Sequence, residues 1–199
     1  MLRRRFMTKG ARLPAAYQEV EYLQSSGTQW IDTGVAGSNN IGYVFDYMPL
    51  NVSTEKAIFG EGQGNARCCF HIGGRWYPYW GASQNTTGAV ANTRYVLSYN
   101  AQNDRAFKVD GTSKLTFSGS PSVGSNTAWL FNVNNPTWGT GYGASMRLYS
   151  CQMYDGSTMV RDFVPCYRKS DNVAGLYDLV NKVFYTNAGS GSFTVGGNV

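Results

Sequence analysis

The side chains able to do chemistry in this sequence are few: the acidic pair Glu19 and Glu21, the single histidine His71, the aromatic run Arg75-Trp76-Tyr77-Pro78-Tyr79-Trp80, and the basic start Met1–Arg12. Retaining cleavage of a glycosidic bond needs two carboxyl groups about 5–5.5 Å apart, a spacing that same-face residues two apart on a strand can hold. Glu19 and Glu21 are the one close acidic pair, and no ExDxE-type triplet accompanies them. Charged side chains ordinarily stay solvated or paired, so the pair reads as structural. Glu61 sits in a glycine-rich turn without an acidic neighbour. A Ser–His or Cys–His nucleophile would have to use His71, which lies between Phe70 and Ile72 on an apolar strand and reads as a structural histidine. The sequence contains neither a GxxxxGKS loop nor a GxGxxG turn between strand and helix. No enzymatic activity is expected.

Metal chemistry fares no better. Calcium wants six to eight oxygens, several of them carboxylate, but Asp104, Asp155, Asp171 and Asn172 show no DxD or DxN spacing. Asp171-Asn172 is the nearest candidate and reads as a turn cap. Cys68, Cys69, Cys151 and Cys166 form no CxxC pair, so zinc is not expected. Adjacent Cys68 and Cys69 face opposite sides of a strand, and all four cysteines read as reduced packing residues. The expectation is no metal and no cofactor.

Sugar recognition has more to work with. Flat rings stack on the apolar C–H faces of sugars, while amide and hydroxyl groups read the ring oxygens. Arg75, Trp76, Tyr77, Tyr79 and Trp80, with Gln84 and Asn85 alongside, are one candidate platform, and Trp138 with Tyr142 is a second. Alternation limits the first: Trp76 and Trp80 share one face of a strand, Tyr77 and Tyr79 the other. Half the cluster must then point inward or at a partner, unless Pro78 breaks the strand.

The elements that must position these residues read as strands. Asp155-Gly156 separates the apolar-rich runs Met146–Tyr154 and Met159–Cys166, and Asp110-Gly111 separates Phe107 and Val109 from Leu115 and Phe117; both are hairpin signals. Gly175–Val180 meets Val183–Thr186 across Asn181-Lys182, and Pro165 suits an edge position or a strand end. Tyr43, Phe45 and Tyr47 share a face of Ile41–Met48, and Tyr95, Leu97 and Tyr99 share one of the strand that follows Asn92. Trp129, Phe131 and Val133 mark another alternating strand, with Trp129 and Trp30 expected in the core. No segment longer than a turn has helical spacing, and no internal repeat is visible. Turn signals every 8–12 residues indicate a sandwich or barrel.

Composition agrees. The chain has 199 residues, 24 glycines, 14 tyrosines and 10 phenylalanines, with only 15% charged residues, which suits one all-β domain rather than disorder. The net charge of +5 resides in the arm: Arg3, Arg4, Arg5, Lys9 and Arg12 stand there without an acid, and the remainder holds 12 basic and 12 acidic residues. A folded nucleic-acid binder shows basic residues across its body, so nucleic acid is not an expected partner. No stretch approaches the ~20 apolar residues of a membrane span, and the arm lacks the apolar core of a signal peptide. The expected division is a basic arm and linker, 1–14, and a sandwich, 15–199.

Two stretches, "YQEVEYLQSSGTQWIDTGV" near the front and "LYSCQMYDGSTMVRDFVPCYRKSDNVAGLYDLVNKVFYTNAGSGSF" near the end, bracket the chain from Tyr17 to Phe193. They resemble the laminin-G-like, concanavalin A-like jelly-roll domains of gut phages and gut bacteria. The resemblance implies an antiparallel β-sandwich, with the Tyr17–Thr33 region packed near Leu176–Phe193. Together with the basic arm and the lack of an export signal, it points to a non-enzymatic virion surface protein, a capsid decoration or tail- or fibre-associated lectin, made in the host cytoplasm. The expected partners are a glycan or host-surface ligand and, through the arm, other virion proteins; self-association stays open and no membrane is expected. The alternatives are a carbohydrate-active enzyme or its binding module, and a purely structural oligomerisation domain.

Overall fold

The computed structural model describes residues 13–62, 66–121 and 124–199. The basic arm residues Arg3, Arg4, Arg5, Lys9 and Arg12 lie outside them. The front of the chain supplies strands β1 (Tyr17–Glu19), β2 (Leu23–Ser26), β3 (Ile31–Ala36) and β4 (Ile41–Pro49). There follow β5 (Lys56–Glu61), β6 (Arg67–Ile72), β7 (Arg75–Trp80), β8 (Ala82–Ser83) and β9 (Thr86–Thr87). The middle gives β10 (Tyr95–Tyr99), a 3-10 turn at Ala101–Asn103, β11 (Ala106–Val109), β12 (Thr112–Thr116) and β13 (Thr127–Leu130). The closing part is β14 (Ser145–Asp155), β15 (Thr158–Arg168), β16 (Val173–Asp178), β17 (Val183–Thr186) and β18 (Thr194–Val195). Among the described residues no helix is long and apolar enough to cross a membrane.

These strands form two antiparallel sheets packed face to face. The first runs β12-β11-β10-β4-β14-β15-β16-β17, with β1 on β15, β2 on β14 and β18 on β2. The second runs β3-β13-β5-β6-β7-β8, with β9 on β7. The fold is the all-β sandwich that the turn spacing implies. Between the sheets sits an aromatic core: Tyr43, Phe45 and Tyr47 of β4 are fully buried, with Phe59 at 4.3 Å from the Tyr43 ring. Both aspartate–glycine signals mark hairpins. Asp110 (φ 49°) and Gly111 (φ 80°) take the paired left-handed conformations of a tight two-residue turn. In the other hairpin Asp155 is the last strand residue, paired with Thr158, so the turn residues are Gly156 (φ 61°) and Ser157 rather than Asp155 and Gly156. The front and back of the chain meet as expected, since Leu23 and Gln24 pair with Val195 and Thr194, and Ala188 and Ser190 donate to the carbonyls of Trp30 and Thr28.

Three strand-level expectations are corrected. Pro165 lies inside the sheet, opposite Leu176 of β16, rather than at an edge. It is tolerated because the β14 partnership of β15 ends at Phe163 and that of β1 begins at Cys166, so its missing N–H falls in the gap, while its carbonyl accepts from Val20. The strand around Trp129 stops at Leu130, where Phe131 turns to φ 71°, and the inward residues are Ala128 and Leu130. Trp129 and Trp30 therefore face outward, half-buried and stacked at 5.0 Å on the outer surface of the second sheet.

On the outer surface of the first sheet, Leu13 packs with Val164, Cys166 and Tyr177, so the chain enters its described part across that face. Leu13, placed with the arm by the sequence, belongs to this packing. Tyr17 joins that packing, its ring 4.9 Å from Tyr177 and 5.0 Å from Phe184, and the outer surface of the second sheet carries a separate group of rings.

Candidate functional site

The β6–β7 hairpin turns on Gly73 (φ 57°) and Gly74 (φ 73°), both left-handed, which pairs Ile72 with Arg75, Phe70 with Tyr77 and Cys68 with Tyr79. Pro78 stays within the strand, so period-two alternation holds through the whole aromatic run. Trp76 and Trp80 point into the sandwich, 1% and 3% exposed. Trp76 lies edge-on to Tyr95 at 5.1 Å, and Trp80 stacks on Phe117 at 5.3 Å. Neither offers a surface to a ligand, which corrects their place in the candidate platform. The even positions lose because the inward face of β7 is the one covered by the opposite sheet.

The odd positions, Arg75, Tyr77 and Tyr79, look outward, and here the two separate candidate groups become one. The loop after β13 folds back over the same surface. Its ends are fixed at the two ends of β5: Gly62, just past the strand, donates its N–H to the Asn134 carbonyl at 3.1 Å, and Ala57 N–H donates to the Tyr142 carbonyl at 2.7 Å. Inside the loop, Asn132 Nδ2 donates to the Thr140 carbonyl at 3.0 Å and Asn135 Oδ1 accepts from Thr137 N–H at 2.9 Å. This bracing sets Trp138 and Tyr142 around Phe70, whose ring lies 5.9 Å from Trp138, 5.8 Å from Tyr142 and 5.7 Å from Tyr79. Trp138 and Tyr79 are 6.4 Å apart. Phe70 is buried as the floor, Tyr77, Tyr79 and Tyr142 are half-buried walls, and Trp138 is 38% exposed at the rim.

Polar groups border this cradle. Arg75 is exposed, and its guanidinium donates to Asn85 Oδ1 at 3.0 Å. Gln84 is drawn away, its Nε2 donating to the Thr116 carbonyl. Burial pushes the Tyr79 phenol up from its ordinary value of 10.0, so near neutral pH it is an uncharged hydroxyl. The arrangement can stack a flat apolar surface and hydrogen-bond its edge. The residue missed by sequence reading is Phe70; the Gly73-Gly74 turn could have revealed it, because a two-residue hairpin fixes Phe70 opposite Tyr77.

The remaining reactive groups are committed elsewhere. Glu61 and Arg67 form a buried ion pair at 2.5 Å, 1% and 0% exposed, with burial pushing the Glu61 carboxyl up against the lowering effect of Arg67. Asp171 pairs with Arg168 at 2.6 Å and accepts from Val173 N–H, the turn-capping role expected of it. The strand ends at Glu19, and Glu21 N–H donates to the Gly197 carbonyl, so the two glutamates do not share a continuous strand. The four cysteines are buried as free thiols, Cys69 toward the core and Cys68 on the cradle side. Burial raises the pKa of each, which keeps the reactive thiolate scarce.

His71 is a structural histidine. The Tyr47 hydroxyl accepts from Trp76 Nε1 at 2.8 Å, and its own proton suits His71 Nε2, also at 2.8 Å. Nδ1 of His71 then carries the ring proton, and it has no partner among the described residues. Burial lowers the imidazole pKa from 6.5 to about 3. The unfolded chain binds this proton below pH 6.5 and the folded chain does not until about pH 3, so the neutral ring favours folding less and less as pH falls through that window. Stability should drop by about 1.4 kcal/mol per pH unit once the unfolded-state imidazole is protonated. Because His71 is the only histidine, urea melts between pH 6.5 and 5 should show that slope in the native sequence and a flatter one in His71→Gln. Equal slopes would contradict the buried neutral imidazole.

Comparison with protein-family models, curated proteins and solved structures gives no match to this chain.

Proposed function

We propose that this chain is a non-enzymatic glycan-binding sandwich of the concanavalin A-like jelly-roll kind, carried on the surface of a phage particle. The observation that carries the binding half is the convergence of Tyr77, Tyr79, Trp138 and Tyr142 on one outer surface, over Phe70 and beside Arg75. Soluble domains seldom leave such rings together at a surface without a partner for them. Sugars fit because their C–H faces stack on rings while phenol, amide and guanidinium groups meet their hydroxyls. The virion half rests on the sequence resemblance and on the arrangement of faces. Leu13 crosses the first sheet, on the side away from the cradle, so an arm holding the particle would leave the aromatic surface turned outward.

A glycan array probed with the full chain, followed by calorimetry on the best hit, tests this. Trp138→Ala removes the most exposed ring and should weaken binding by about tenfold, the size of one lost stacking contact, with the melting temperature nearly unchanged. An array without hits, or a hit indifferent to Trp138→Ala, would sink the reading. A solution mass of an oligomer whose interface buries Trp138 would favour the structural alternative instead.

A further inference from the structure

A cavity opens beside the cradle. It measures about 760 Å³ and is bounded by the turns around Thr28, Asn51, Thr140 and Ser190. Its lining is one-sided in charge. Among the described residues that line it, seven carry hydroxyl or amide side chains, Trp30 is the one aromatic ring, Lys56 is the one charge, and none is a carboxylate. Trp30 is held between Trp129, stacked at 5.0 Å, and Gly189, where a Cβ would come within 2.5 Å of the indole. The ring is therefore fixed in the cavity wall. Lys56 is positioned by donating to the Gly141 carbonyl at 2.8 Å, on the loop that also carries Trp138 and Tyr142. That bond takes one of the three ammonium donors.

We infer that this cavity binds a carboxylated sugar, a uronate or sialate residue. Lys56 meets the carboxylate, the surrounding hydroxyls and the Asn51 amide meet the sugar hydroxyls, and Trp30 borders the apolar edge. The inference rests on the glycan reading proposed above and names the chemical class that reading would select. The reason is charge: with one ammonium and no acid in the lining, an anionic ligand gains a charge-assisted bond that a neutral one lacks. Volume agrees, since cavities of 300–1,000 Å³ accommodate small molecules of that size.

The test uses the isotope-labelled full chain titrated with sodium glucuronate and, separately, with glucose, reading backbone amide shifts. Glucuronate should shift Gly141, Gly143 and Gly189 and bind about tenfold more tightly than glucose. Lys56→Gln should erase that preference, and Lys56→Arg should keep most of it. Equal response to both sugars, shifts elsewhere on the surface, or a preference that survives Lys56→Gln would overturn the assignment. The two proposals fail separately: array binding that depends on Trp138 without a cavity response removes only this one. A cavity response without a Trp138-dependent array hit removes the cradle reading and leaves the cavity.

Discussion

Trp76→Ala should destabilise the domain by about 3–5 kcal/mol, the cost of deleting a buried aromatic. The indole is 1% exposed, contacts Tyr95 and Phe107, and donates to the Tyr47 hydroxyl, which in turn holds His71. Its loss leaves a void and removes the donor that orients this buried chain of polar groups. For a domain of this size the melting temperature should fall by roughly 6–20 °C, read by circular dichroism or calorimetry. Trp76→Phe retains most of the volume and should recover much of that loss. A Trp76→Ala protein as stable as the parent would contradict its position between the sheets.

Arg67→Met should cost a similar amount, about 3–5 kcal/mol, for a different reason. Glu61 would stay buried with its ion-pair partner gone, and an uncompensated buried charge is among the most destabilising changes a core can suffer. The site cannot relax easily: a Cβ at Gly37 would collide with both Glu61 and Arg67, so the backbone packs directly on the pair. Removing the guanidinium also removes what lowers the Glu61 pKa, which burial already raises. In the variant the folded state therefore takes up a proton at higher pH than the unfolded chain, and acidification from pH 7 toward 5 should narrow its deficit relative to the parent. The double variant Glu61→Gln with Arg67→Met should be more stable than Arg67→Met alone at pH 7. Urea melts at both pH values check these outcomes, and a deficit independent of pH would mean Glu61 does not carry it.

How much of this was legible in the sequence depends on how local the signal is. The hairpin at Asp110-Gly111 is plain because two adjacent residues specify the turn, whereas at Asp155-Gly156 the same signal places the reversal but misses its register by one residue. The split of the Arg75–Trp80 run into two faces followed from alternation, but which face looks inward did not. That choice depends on the opposite sheet, whose Tyr95 and Phe117 lie far from Trp76 and Trp80 in the chain. Trp129 misled for a related reason. Both surfaces of the second sheet are covered by apolar groups, so bulk no longer marks the interior, and little Ala128 takes the inward place. A phenylalanine at φ 71° carries no sequence warning. The cavity beside Lys56 was invisible because four separate chain segments build it.

The pairing of β2 has a consequence for how the molecule is made. Leu23 and Gln24 lie between Leu148 and Arg147 on one side and Val195 and Thr194 on the other, and 123 residues separate Gln24 from Arg147. During translation this early segment must wait, its backbone groups bonded to water, until both late partners have emerged from the ribosome. The sandwich therefore cannot close before the segment around Thr194 has been made, and its closure falls on the millisecond-to-second scale of chains dominated by distant contacts.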